Sequence, residues 1–500
     1  MALIESGLDK DFYYGTNYVK DSMRRIIEDE WIYTRTFRLT EDSYAFALLD
    51  CEGLDTIASV VVNGQEIGRT ENQFRHFQWN ISKVLKPKEN VVSISFKSAT
   101  LVAKKEAENY PYYVPDMFNM SAAQHGYPCR NFIRKEQCSF SWDWGPAFAP
   151  CGIWRPISVK FDYDGILVSD WFLETSLSET ATHWQINIHL IIHSDRPREC
   201  SVQTRFSGDL PEHSELLQVA AGKDTYKIVI DIERTLVKMW WPRGYGDPTT
   251  YDVRAGLLDE TSTVVAIHDF VCGFRTCNLV QDPILDRNQD SKGDSFHFSV
   301  NEMDLFAKGT NWIPGHVFDQ LVTLEKKRVL LESCVAANMN MIRIWGGGRY
   351  ETDEFYQLCS ELGIMVWQEF MFACALCPSN DGFLDNVRKE VVDQVQRLMV
   401  HPCIVLWSGN NENQEFMVKG SPSAGVISRQ PYTERYILQD SERGLYGDVH
   451  FYDYKHNGMH VENYPNARFV SGKASTTLIQ RRGMHGRLTL TLLMGLSETN

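Results

Sequence analysis

The chain has 500 residues, 43% of them apolar and 12% aromatic, with 50 basic against 65 acidic side chains and a net charge of −15. That length exceeds one ordinary core, so two to four domains are expected, and the acidic balance repels phosphate backbones and argues against nucleic acid as a partner. Apolar runs such as the one at 186–192 are broken by Asn and His; none approaches the ~20 residues of a membrane helix, so a soluble chain with no membrane partner is predicted.

The amino-terminal stretch "MALIESGLDKDFYYGTNY" lacks a basic region followed by an apolar one, which predicts no secretory signal. Against this, "NIS" at Asn80 and "NMS" at Asn119 are glycosylation sequons, which matter only to a secreted chain. The 12 cysteines are scattered. Cys129 and Cys138 are the only close pair in a loop-like stretch. "CALC", Cys374 to Cys377, is a lone CxxC without a second pair or a histidine cluster, so a buried or incidental pair is expected rather than zinc, and no metal is predicted.

From residue 31 to about 165 the hydrophobic pattern has period two. In "VVSISF" it places Val92, Ile94 and Phe96 on one face, and Asn63-Gly64 tolerate the positive φ of a tight hairpin turn. A second β block follows, in which Trp184, Ile186, Ile188, Leu190 and Ile192 alternate with polar residues, as do Tyr226, Ile228, Ile230 and Ile232. It reads as a sandwich ending near "CGFRT", Cys272 to Thr276. From about 296 short apolar strands ("FAKGTNWIPG", "MIRIWGGG", "GIMVWQEF", "CIVLWSGNNE") alternate with helical stretches. One helix is predicted to bury Val387, Val391, Val395 and Leu398; another packs Phe355, Leu358 and Leu362 and stops at Gly363. Strand and helix in alternation imply a parallel sheet covered by helices.

All four of these strands end in Gly, Asn, Trp or Glu. In a parallel α/β barrel the strand interiors fill the core while their carboxyl ends surround the mouth, where polar residues are free for chemistry. An open doubly wound sheet would also bind there, but "GGG" at 346–348 lacks the spacing of a phosphate-binding turn. Glu412 is the sharpest single residue. Beside Trp407 and amides it reads either as a solvated loop carboxylate or as a general acid whose pKa is raised by desolvation. Trp142, Trp144, Trp345 and Trp407 suit either stacking against sugar rings or core packing.

Taken together, "WSGNNEN", "SFSWDWGP", "IRIWGGG" and "DVHFYDY" make the chain resemble the β-mannosidases, of the lysosomal type, in the glycoside hydrolase superfamily that also holds β-galactosidase and β-glucuronidase. The resemblance covers roughly residues 3–471. It implies a jelly-roll β-sandwich (1–165), an immunoglobulin-like β-sandwich (166–276) and an incomplete (β/α)8 TIM barrel (277–471), followed by a divergent tail (472–500). It implies cofactor-free, retaining removal of terminal β-mannose from an oligosaccharide in the lysosome. Carried over residue by residue, Glu412 matches the acid/base and Asn411 the amide that binds the sugar 2-hydroxyl. Trp142, Asp143 and Trp144 match a loop lent by the first domain, Trp345 a pocket wall, and His450 and Tyr452 a later strand facing the site.

Retention needs a second carboxylate about 5–5.5 Å from the first. The family places it directly after a strand reading like "ARFVS"; here Gly472 stands at that position. Glu462 is the nearest substitute in sequence, in the loop "HVENYPN". Only about 88 residues follow Glu412, where a barrel usually takes ~250 in all. A shortened product lacking its nucleophile is therefore expected. The alternatives are a β-galactosidase or β-glucuronidase relative, a non-catalytic sugar-binding protein and a non-functional isoform.

Overall fold

The computed structural model describes residues 26–39, 44–114, 116, 126–145, 147–282 and 295–413, together with the backbone of short strands at 448–450, 469–471, 481–482 and 488–489. Three regions follow one another, each with its own way of burying apolar surface.

In the first region two antiparallel sheets face each other. One runs in the order Trp31–Arg38, Glu89–Phe96, Ile57–Val62, Gln65–Glu71; the other is Phe77–Asn80, Phe46–Cys51, Ile157–Asp162. Alternate residues Val60, Val62, Ile94 and Phe96 point inward to meet Ala47 and Leu49. The Asn63-Gly64 turn closes its hairpin with both φ angles positive, 53° and 86°, the conformation a two-residue turn requires. Period two does not hold throughout. Ala99–Asn109 is an α-helix, started by Ser98, whose hydroxyl accepts from the Leu101 N–H, and rich in Ala, Lys and Glu, which favour helix.

The second region is a larger sandwich. Three strands, Ile166–Leu177, His183–Ser194 and Gly222–Glu233, face four, His213–Val219, Arg198–Phe206, Tyr251–Leu258 and Val264–Cys272. The expected alternation is present: Trp184, Ile186, Ile188, Leu190 and Ile192 are all sealed from solvent, against Val202, Val253 and Leu257 of the facing sheet.

Between this sandwich and the parallel sheet lies a small antiparallel sheet that the sequence pattern did not announce, Cys277–Val280, His297–Val300 and Met303–Asp304, whose Phe298 and Val300 pack into the next core. The four predicted parallel strands then appear side by side in chain order: Gly309–Trp312, Met341–Ile344, Met365–Glu369 and Ile404–Ser408. Helices Leu324–Ala336, Asp353–Leu362 and Asp381–Leu398 connect them. Gly363 ends the second helix in the left-handed region at φ 69°, a position that excludes a β-carbon at little cost only for glycine.

The third helix corrects one expectation. Its buried residues are Asn386, Val387, Glu390, Gln394 and Leu398, while Val391 and Val395 are only half-buried. The polar stripe is covered because this helix docks on the first sandwich. Glu390 receives Arg134 through two bonds of 2.8 and 2.7 Å, Asn72 at 2.9 Å and the Tyr350 hydroxyl at 3.0 Å. A helical period reports which face is covered only when the covering surface is apolar.

Candidate active site

The site is assembled at the carboxyl ends of the parallel strands, with one wall lent by the first sandwich. The lending segment, 130–145, is anchored before it reaches the site. Asn131 Nδ2 donates to the Leu376 carbonyl (2.7 Å), Glu136 pairs with Arg349 (2.9 Å), and the Cys138 N–H donates to the Gly347 carbonyl (2.9 Å). Past these anchors, Trp142 and Gly145 close a small turn by reciprocal backbone bonds that holds up Asp143 and Trp144.

Three indoles meet there. Trp142 lies edge-on to Trp345 at 4.6 Å between ring centroids, and Trp144 at 5.7 Å; Arg130 stacks its guanidinium over Trp142 at 4.1 Å. Trp345 is buried, whereas Trp144 is 48% exposed. The glycines after Trp345 make room rather than bind phosphate. A β-carbon on Gly347 would come within 2.0 Å of the Trp345 indole, and one on Gly346 within 2.6 Å of the Phe370 and Phe372 carbonyls. Gly346 also gives its N–H to Glu369 at 2.7 Å.

From the fourth strand, Asn411 and Glu412 follow Ser408 into this cluster. Asn411 is held on both sides of its backbone by the loop after the third strand: its N–H donates to the Phe372 carbonyl and its carbonyl accepts from Cys374, each at 2.9 Å. Its side-chain carbonyl accepts from Arg343 (2.6 Å), and Arg343 is itself clamped by Glu369 (2.9 Å through Nε) and Asn311 (3.1 Å). The Glu412 carboxylate accepts from the Cys374 thiol at 3.0 Å. Glu412 has φ 58° and Cys374 φ 48°, two non-glycine residues in the left-handed region, a conformation that costs energy and concentrates at functional sites. Partial desolvation pushes the Asp143 carboxyl above the usual carboxylate range; a backbone N–H opposes this and the Glu412 charge adds to it. The two acids therefore feel each other.

The structure thus brings together Trp142, Asp143, Trp144, Trp345, Asn411 and Glu412. Trp407 stacks on Phe370 at 5.1 Å and packs against the core of the α/β region, the core-packing alternative. His450 lies in the strand Asp448–His450, parallel to Phe469–Ser471; Tyr452, Glu462, Gly472 and Asn119 lie outside the described residues. Asn80 ends a strand of the first sandwich and is exposed. Two residues at the site's centre were not singled out from the sequence. Arg343 carried a signal, as the one charge inside an apolar strand, whereas Cys374 was read only as half of a CxxC. Cys374 and Cys377 are in fact used apart: Cys377 packs with Phe372 and Val387, and burial pushes its thiol up to about 12. Among the described residues no group of His, Cys, Asp and Glu is placed to hold a metal ion, and no helix is long and apolar enough to cross a membrane.

Comparison with known proteins agrees with this architecture. Residues 1–155 match the family of glycosyl hydrolase 2 galactose-binding domain-like modules. Over 523 aligned residues the chain is 35% identical to the β-mannosidase of Capra hircus, covering 94% of this chain and 57% of that protein. The chain is a homologue of the β-mannosidases. Among solved structures, the β-D-mannosidase of Dictyoglomus thermophilum superposes with a TM-score of 0.74 at 35% identity, over 86% of this chain and 53% of that one. The exo-chitosanase of Amycolatopsis orientalis, with a TM-score of 0.62, 18% identity and coverage of 81% and 44%, shares the fold alone. The chain spans just over half the length of the β-mannosidases it matches.

Proposed function

We propose that this chain binds the terminal β-mannosyl unit of an oligosaccharide, such as one derived from an N-glycan, against the Trp142, Trp144 and Trp345 indoles, with Glu412 as the acid/base of a retaining glycoside hydrolase. The observation that carries this reading is the meeting of Glu412 and Asp143, from regions far apart in sequence, beside a three-indole wall. Aromatic faces suit the apolar C–H surface of a sugar, and Glu412 would protonate the glycosidic oxygen in a displacement that also needs a second carboxylate to take the anomeric carbon. Asn411 binds the 2-hydroxyl, where contacts strengthen as the transition state forms. No cofactor takes part. The family resemblance adds His450 and Tyr452 as further substrate-binding residues, and an acidic compartment such as the lysosome is the working location. In this reading the three regions are the jelly-roll, the immunoglobulin-like sandwich and the first half of a (β/α)8 barrel.

Gly472 offers no carboxyl at the position where the family carries its nucleophile, and this supports a narrower second reading, a sugar-binding chain without turnover. One experiment addresses both. The purified chain is titrated calorimetrically with a β-mannosyl disaccharide and, separately, incubated with an aryl β-mannoside. Heat of binding without aryl alcohol release is expected, weakened in W345A. Release well above an inert control would mean that another carboxylate, such as Glu462, serves as nucleophile. Absence of binding would overturn the mannoside reading altogether.

A further inference from the structure

We propose that Cys374 is a positioning residue for Glu412, its thiol holding the carboxylate in place by a hydrogen bond; this rests on the acid/base reading above. The sulfur sits between two partners. It donates to Glu412 Oε2 at 3.0 Å and accepts from Asn411 Nδ2 at 3.3 Å. The direction of the second bond is imposed from behind. Arg343 donates to Asn411 Oδ1, so the amide's other end, its Nδ2, faces the sulfur; Glu369 keeps Arg343 from turning. With one side of the sulfur taken by a donor, its own proton is left for the carboxylate. The chain Glu369, Arg343, Asn411, Cys374, Glu412 thus alternates acceptor and donor at every step.

The backbone is committed to the same contact. Ala373 and Asn411 form a parallel bridge, the Cys374 N–H donates to the Asn411 carbonyl, and both contacting residues are held in the left-handed region. Cys374 is buried in a cluster with Trp345, Cys138 and Ala373, against which Trp142 packs. A thiol is a weak donor in water, but the Cys374 sulfur is buried, and there a hydrogen bond to a charged acceptor counts for more. A donor stabilises the ionised form of Glu412 and lowers its proton affinity, while the nearby Asp143 carboxylate raises it. Arg130, whose guanidinium feels the Cys374 sulfur, adds a cation behind the thiol. The thiol therefore offsets the like charge that Asp143 brings to the site, and lets the acid give up its proton rather than keep it.

The test reads Glu412 directly. Protein labelled with carboxyl-13C glutamate is titrated by NMR, and the resonance missing from E412Q is assigned to Glu412. C374A and C374V, which remove the donor with different volumes, are expected to raise the titration midpoint by about one pH unit relative to the wild type; C374S, which keeps a donor, is expected to leave it at or below the wild-type value. Unfolding curves identify the folded variants. A midpoint unchanged in a folded alanine or valine variant overturns the proposal, because a merely structural cysteine would alter stability and leave the midpoint alone. Calorimetry with the β-mannosyl disaccharide on the same samples tests the underlying reading separately: wild-type protein that shows the cysteine-dependent midpoint yet binds no mannoside would overturn the acid/base assignment and not the hydrogen bond.

Discussion

Replacing Glu390 with Ala should cost the protein about 4 kcal/mol. Glu390 is fully buried and faces Arg134, which is 1% exposed, at the seam between the first sandwich and the helix Asp381–Leu398. Removing one partner of a buried pair leaves an uncompensated charge, typically a loss of about 3–5 kcal/mol. Two effects modify that figure. The Asn72 amide and Tyr350 hydroxyl lose their bonds to the carboxylate, but Asn72 retains Asn386 (3.1 Å), and Arg134 retains the Met371 carbonyl (2.8 Å) and its stacking on Phe372 (4.0 Å). Against a domain stability of about 5–15 kcal/mol, a loss of about 4 is a large share. Urea unfolding followed by tryptophan fluorescence would measure it, and the double variant E390L/R134M provides the control. Because the charges are removed together, it should recover most of the loss. Phe372 and Met371 lead directly into the loop that carries Cys374, so mannoside affinity should fall in E390A and return in the double variant. A single variant within about 1 kcal/mol of wild type, or a double variant no better than the single, would refute the view that this pair organises the seam.

Two further outcomes follow from other parts of the molecule. G347A should weaken β-mannosyl disaccharide binding about tenfold or more, since the added carbon would displace the Trp345 indole it meets at 2.0 Å; calorimetry showing wild-type affinity would count against Trp345 as a sugar wall. The second concerns His76, which joins the first sandwich to the second through Asp50 and, at 3.4 Å, Asp170. Burial opposes its protonation, but the hydrogen bonds it donates to Asp170 and Asp50 prevail and raise the imidazole to about 10, while burial-opposed bonds from His76 and Lys160 lower Asp50 to about 2. A raised histidine contributes stability that is complete below its unfolded value of ~6.5 and is lost as pH climbs through the folded value. H76L should therefore be destabilised on the order of 2–4 kcal/mol at pH 6, and the deficit should shrink by pH 9.5; equal deficits at both values would sink the assignment.

What was legible in the sequence was whatever a local pattern could encode. The strands Met341–Ile344, Met365–Glu369 and Ile404–Ser408 were found because each is a short apolar run stopped by polar or glycine residues, and the hairpin at Asn63-Gly64 because its backbone demands those residue types. The helix Ala99–Asn109 was missed because a period-two reading was carried across Ser98, although a capping serine before an Ala- and Lys-rich run marks a helix start. At the site, Glu412 and Asn411 were visible as polar residues at a strand end, and Trp142 to Trp144 through the family resemblance. The Cys374 contact was not, since it joins residues 38 apart through the shape of two loops. Nor was the polar face of the helix Asp381–Leu398, whose partners Asn72 and Arg134 lie more than 250 residues away.

The seam also accounts for how a site shared between two regions stays aligned. Arg134, Lys135 and Glu136 are consecutive, and their side chains part to different regions. Arg134 and Glu136 cross to Glu390 and Arg349 of the α/β region, while Lys135 turns back to Asp55 of its own sandwich at 2.6 Å. All six side chains are buried. Paired buried ions give little net stability, but leaving one unpaired is expensive, so a docking slipped by even one residue would strand several charges at once. The penalty therefore falls on misalignment rather than on the docked state rewarding itself, which is what a site needs when one segment carries Trp142 and Asp143 and another carries Glu412. Swapping the polarity of one pair, R134E with E390R, should then restore stability more fully than either single reversal, measured by the same urea unfolding. If the double reversal stays as damaged as the worse single variant, alignment must come from shape alone and not from complementary charge.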